Sequence, residues 1–254
     1  MCIILGPVHR VSKTKLFVLP NNSKTRQMTF YSNSVSTPKQ NMMILPVPNS
    51  TNSIQLHTID YKNMFQDLNK SVKSLVEERE HNYMSRSLYA SATPRETLEV
   101  ISHGSYLVSI APQLEDLLRL NTSVFQLTPE LFHFFADHYN REFSFLCCIL
   151  KQGSKGYEPL CYSHPLHSSG KLFVPTLHYH VHDSKVDTHD ADWDHMIYSA
   201  NSEEKANRGY TSNYYNNVHW SHFPEEYQKL NVTSVRCAEI QGHQKNTDLA
   251  FTIW

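Results

Sequence analysis

Apolar residues in the first 48 positions fall in short runs rather than in a helical stripe. CIILGPVHRV, KLFVLP, QMTFYSN and MMILPVP are apolar throughout or alternate apolar with polar, and clusters of Asn, Ser, Lys and Pro separate them. Side chains on an extended strand repeat every two residues, so this pattern predicts a meander of short strands joined by polar turns. After a polar connection at 49–53 the period changes. Met64, Leu68, Val72, Leu75 and Val76 recur at helical spacing, which predicts an amphipathic helix over Tyr61–Glu80 with Asp60 as its N-cap. HNYMSRSLYASATPRE has no clear period and breaks at Pro94. SYLVSIA (105–111) reads as a strand, and PQLEDLLRLN as a short helix with Pro112 in its first turn. TPELFHFFADHY (128–139) carries a strong helix start, Thr128 as N-cap followed by Pro129 and Glu130, with Leu131, Phe132, Phe135 and Tyr139 on the buried face.

From Phe143 onward strands return. FSFLCCIL, EPLCYSHPL, KLFVPTLHYHVH, DWDHMIYSAN, VTSVRCAEI and DLAFTIW are the candidates, with SSGK (168–171) a turn. SEEKANRGYTSNYYNNVHW reads as a long surface loop, and FPEEYQKL as one helical turn or two. Strands and helices therefore come in runs, without the regular alternation of a parallel sheet. That predicts an α+β fold, mostly antiparallel, with three or so helices between two β-rich segments. The chain reads as one domain over 1–254: β-rich at 1–48, helical at 60–140, β-rich and His-rich at 143–254. With only seven glycines and neither a G-x-G-x-x-G nor a P-loop sequence, Rossmann and P-loop designs are excluded.

Charge adds an asymmetry. The net charge is −1, yet residues 1–59 hold no Asp or Glu against six basic residues, so that segment is +6 and the remainder −7. Arg10, Lys13, Lys15, Lys24, Arg26 and Lys39 are scattered rather than clustered, a pattern that fits an acidic partner better than nucleic acid. The five cysteines form no C-x-x-C pair, which points to reduced thiols in the cytoplasm. The apolar run Cys2–Leu5 is too short for a signal peptide, and no stretch approaches membrane-spanning length. Cys2, if Met1 were removed, would offer an amine beside a thiol as in N-terminal nucleophile hydrolases; a small buried residue on the first strand is the simpler reading.

Candidate chemistry concentrates at Lys171–His195, KLFVPTLHYHVHDSKVDTHDADWDH; ten of the sixteen histidines lie between His164 and His243. A strand over 176–182 would bury Leu177, Tyr179 and Val181 and turn His178, His180 and His182 the other way. His189, Asp190, Asp192, Asp194 and His195 then follow within seven positions. Imidazoles on one strand face beside carboxylates suit a divalent metal, zinc above all, held by His178 and His180 with His182, His189, Asp192 or Asp194; His164 and His167 are further candidates. Asp194 or His195 would serve as general base on metal-bound water, making the chain an intracellular metal-binding protein with metal-dependent hydrolysis as its activity. The simpler alternative is a polar strand face beside a solvated acidic loop, with Trp193 and Ile197 in the core.

Asp192-Trp193-Asp194-His195 also resembles the D-W-E-H core of the necrosis-inducing plant toxins of the NLP type, over about eight residues, with Asp in place of Glu and Ala191 in place of a His. The resemblance implies an acidic, His-containing loop binding a divalent cation just before a strand, with His189, Asp192 and Asp194 as ligands. Those toxins are secreted. Trp220 and His222, after the tyrosine-rich loop, would line a ligand pocket, unless Trp220 merely anchors that loop. A second function class remains beside the enzyme: a non-catalytic structural or interaction protein, contacting a protein or small-molecule partner through its basic N-terminal segment and tyrosine-rich loop.

Overall fold

The structure, a computed structural model, describes residues 3–5, 9–48, 53–72, 97–123, 127–139, 141–150, 153–167, 170–180, 190–203, 209–212, 217–228, 232 and 234–253. Two large sheets carry it. One has six strands in the order β12 (Tyr179–His180), β1 (Ile3–Leu5), β4 (Asn41–Pro48), β8 (Phe143–Leu150), β7 (Tyr106–Ala111) and β6 (Ile101–His103). The other, of eight strands, runs β15 (Gly209–Ser212), β16 (Val235–Lys245), β13 (Asp190–Ala200), β2 (Arg10–Pro20), β3 (Arg26–Thr37), β10 (Leu160–Pro165) and β5 (Gln55–Leu56), with β9 (Gly153–Gly156) also on β3. A small third sheet joins β11 (Lys171–Val174), β17 (Leu249–Ile253) and β14 (Ser202–Glu203). Among the described residues the pairs are antiparallel except β1 with β12 and β13 with β2. The fold is α+β and mostly antiparallel, as the run pattern predicts.

Strand period explains the layering. On β4, Met43, Leu45 and Val47 point into the core between the large sheets, while Met42 and Ile44 point outward under helix α2 (Pro129–His138). On β8, Leu146, Cys148 and Leu150 point inward, and Phe145, Cys147 and Ile149 outward. Likewise β2 sends Leu16 and Val18 inward, and Phe17 and Leu19 outward under helix α1 (Met64–Val72) and the 3-10 turn Trp220–His222. Helices thus cover the outer face of each sheet, and strands buried on both faces read as continuous apolar runs rather than alternating ones. Every residue of β4 and of β8 is buried.

Several expectations need correction. The N-terminal strands are not a meander: β1 pairs with β4 and β12, and β2 with β3 in the other sheet. The first helix starts at Met64, inside its expected start; from residue 73 on, including Leu75 and Val76, its expected course lies outside the described residues. Leu114–Arg119 is a 3-10 helix, and the tyrosine-rich loop carries β14 and β15.

Helix α2 follows its sequence signals closely. Thr128 is the N-cap, Leu131 N–H donates to its Oγ1 at 3.4 Å, and Pro129 opens the helix. Leu131, Phe134, Phe135 and Tyr139 are buried, with Phe134 taking the place expected for Phe132. Thr128→Ala is expected to lower stability by about 1 kcal/mol, read as a lower urea midpoint at unchanged m-value. No helix among the described residues is long and apolar enough to cross a membrane.

Candidate functional site

The chemistry-bearing stretch is built differently from the expected strand. Among the described residues of the expected strand only Tyr179–His180 pair as strand, and Thr176, Leu177 and His178 are all buried, at 0%, 4% and 4% exposure. Alternation therefore fails at its first histidine. Side chains, rather than a neighbouring strand, take up the backbone polar groups here. Thr176 and Leu177 N–H both donate to Asp248 Oδ1, at 2.7 and 2.8 Å. His178 N–H donates to Asn246 Oδ1 at 2.7 Å, and Asn246 Nδ2 returns a bond to His178 O at 2.8 Å. Tyr139 O–H completes Asp248 by donating to Oδ2 at 2.8 Å. Burial pushes the Asp248 carboxyl above its ordinary range, against the opposing effect of these three donors, and pushes the Tyr139 hydroxyl up as well.

His178 packs among aromatic rings. Its ring stacks on Trp193 at 5.0 Å and on His195 at 4.9 Å, with Trp193 and His195 4.7 Å apart. Trp193 and His195 are two apart on β13, so they share one face, and Ile197 continues that face into the core. Both His195 ring nitrogens and the Trp193 indole N–H are buried without a hydrogen bond among the described residues. His195, at 1% exposure, is closed to a substrate.

The described carboxylates Asp192 and Asp194 do not join this stack. The Asp192 side chain is 91% exposed and lies 3.7 Å from His243 Nδ1 on β16. Asp194 Oδ2 accepts from Lys13 N–H at 2.7 Å, where Lys13 adopts φ +56° at a register shift between β2 and β3. His182 and His189 lie outside the described residues, as does the side chain of His180. Among the described residues no group of three or more His, Cys, Asp or Glu is arranged to hold a metal ion. The D-W-D-H segment is the interior of an eleven-residue strand, not a cation-binding loop ahead of one. Trp220 is buried and packs on Phe223 at 5.3 Å, so it anchors the outer core, while the exposed His222 stacks on Tyr61 at 4.8 Å.

Sequence reasoning missed Tyr139, Asn246 and Asp248. Each looks like an ordinary helix-end or loop residue locally, and its partners lie 68 to 109 positions away. The thiols of Cys147, Cys148, Cys161 and Cys237 are buried, and burial pushes Cys147 and Cys161 well above the ordinary thiol range.

A sandwich of a six- and an eight-stranded sheet, with helices on both outer faces, is the class this chain belongs to by architecture. No protein-family model and no curated protein sequence matches it. Solved structures do. The crystal structure of baculovirus P35 superposes with a TM-score of 0.53 at 13% identity, covering 99% of each chain. A mutated baculovirus P35 after caspase cleavage gives 0.53 at 12% identity, over 96% of this chain and 100% of that one. P35 in the caspase-8/P35 complex gives 0.52 at 12% identity, over 95% and 96%. At such identities the likeness is one of fold, from end to end. Together with the lack of a metal-holding group among the described residues, it overturns the reading as a metal-binding, metal-dependent hydrolase.

Proposed function

We propose that this chain is a non-catalytic protein-interaction protein whose partner is a protease of the caspase class. One observation carries the proposal: the whole chain shares its fold with a protein solved both bound to caspase-8 and after caspase cleavage. The interior supports it. The His178, Trp193 and His195 rings pack as core, and Cys147 and Cys161 are held as unreactive thiols. An interior of closed-off side chains fits a scaffold that presents its surface to a partner. Free buried thiols suit a reducing compartment, and the cytoplasm is where we place the protein.

The test mixes the purified chain with recombinant caspase-8. Size-exclusion chromatography reads complex formation, a fluorogenic peptide reads residual protease activity, and gel analysis reads cutting of the chain. Co-elution with slowed peptide hydrolysis is expected, together with cleavage into fragments. Separate elution and undiminished protease activity at a large molar excess of the chain would overturn the proposal.

A further inference from the structure

Among the described residues β5 and β6 are end strands of the two large sheets, and the segment 53–60, which includes β5, contacts both. On the eight-stranded side, Gln55 and Leu56 pair with Ser163 and Tyr162, and His57 N–H donates to Cys161 O at 2.9 Å. Arg26 Nη2, from β3, donates to Ser53 O at 2.8 Å and to Ser163 Oγ at 3.2 Å. The His57 ring meets the same serine, Nε2 to Oγ, at 2.8 Å. On the six-stranded side, His103 Nε2 lies 3.1 Å from His57 O.

One of these contacts fixes a proton. A carbonyl only accepts, so His103 carries hydrogen on Nε2. Ser163 Oγ accepts from Arg26 and keeps a second lone pair and its own proton, so it serves His57 Nε2 as acceptor or donor according to the tautomer. The charged and titratable groups facing His57 are Glu226, Arg26 and His103. The Tyr227 hydroxyl is also close to Ser163 and Arg26, without a hydrogen bond of good geometry, and burial holds it at about 12. Adding a proton to His57 would set a second cation beside Arg26, across the one hydroxyl, Ser163 Oγ, that both contact.

We propose that residues 53–60 are an acid-sensitive strap, clamping the free edges of the two sheets together at neutral pH through His57 and His103 and opening on mild acidification. Burial lowers the affinity of both imidazoles for protons, with Arg26 and His103 adding to the effect on His57 and Glu226 opposing it. The sign follows: the closed strap prefers neutral rings and the open strap titrates near 6.5, so closure is complete above that value and weakens as pH falls below it. His164 lies on the opposite face of β10, stacked on Tyr162 at 6.0 Å, and takes its proton only at about 4, so strap opening separates from general acid unfolding.

Hydrogen exchange followed by mass spectrometry tests this at pH 7.5 and 5.5, with exchange corrected for intrinsic rates. Peptides spanning 53–60 should lose protection at the lower pH, by up to about tenfold per pH unit for each proton taken up, while β4 and β8 stay protected. In the double variant His57→Gln/His103→Gln, which keeps polar contacts but cannot titrate, protection should be the same at both values. Glu226→Gln, an exposed change that removes the opposing charge, should shift wild-type opening to higher pH. Equal protection of 53–60 at both pH values in the wild type would overturn the strap, as would acid opening of the double variant or an unmoved midpoint in Glu226→Gln.

Discussion

Asp248→Leu is expected to lower stability by about 4 kcal/mol, because it orphans three buried donors at once, each costing about 1–3 kcal/mol. Thr176 N–H and Leu177 N–H lose Oδ1, and Tyr139 O–H loses Oδ2. The two amides have no neighbouring strand to fall back on, since pairing resumes only at Tyr179. Asp248→Asn separates the two oxygens. Its Oδ1 still accepts from both amides, while the new NH2 group faces the Tyr139 hydroxyl, so about 1–2 kcal/mol should be lost. Much of that loss should return in Asp248→Asn/Tyr139→Phe, where no donor opposes another. Urea unfolding of the four proteins measures all of this. Equal losses in the leucine and asparagine variants, or a leucine variant within 1 kcal/mol of wild type on this scale, would show that Asp248 does not organise the segment.

That residue also marks where the sequence stops being legible. Helix α2 is readable because Thr128, Pro129 and Glu130 act on backbone groups within one turn, and such signals are local. The runs of β4 and β8 are readable because a strand buried on both faces is apolar nearly throughout, Asn41 and Ser144 being the polar residues here. Alternation at Leu177–Val181 is equally visible in the sequence, but it assumes that a strand supplies the hydrogen bonds. Asn246 and Asp248 supply them instead and let the backbone bury His178 beside Leu177. The metal reading fails for a related reason. A count of His and Asp reports ligand type, and convergence depends on which face each residue takes: on β13 Asp192 points to solvent while Trp193 and His195 point inward. Nor does anything near His57 or His103 in sequence reveal that two sheet edges bring them together.

Acidification from pH 7 to about 4 is expected to remove about 3 kcal/mol of stability through His164 alone. The ring is fully buried on β10, its Nδ1–H donates to Pro165 O at 2.7 Å, and its proton affinity falls from 6.5 to about 4. Burial is the main cause, with Arg26 and His167 adding positive charge nearby. A folded value below the unfolded one means that the unfolded chain binds the extra proton. The contribution is therefore complete above 6.5 and is lost as pH falls through the window down to about 4. His57 and His103 act in the same direction, whereas Asp248, whose value is raised, acts in the opposite one. The isolating measurement is thus a difference between two proteins. His164→Asn places an amide N–H where Nδ1–H stands and cannot titrate, at a cost of about 1–2 kcal/mol at pH 7 for the lost packing on Tyr162. The variant's deficit should shrink and then reverse as the pH is lowered, its unfolding free energy falling by about 3 kcal/mol less than that of the wild type between pH 7 and 4. Parallel pH profiles for the two proteins would mean that His164 is not held neutral by the fold, and the acid sensitivity would have to come from elsewhere in the sandwich.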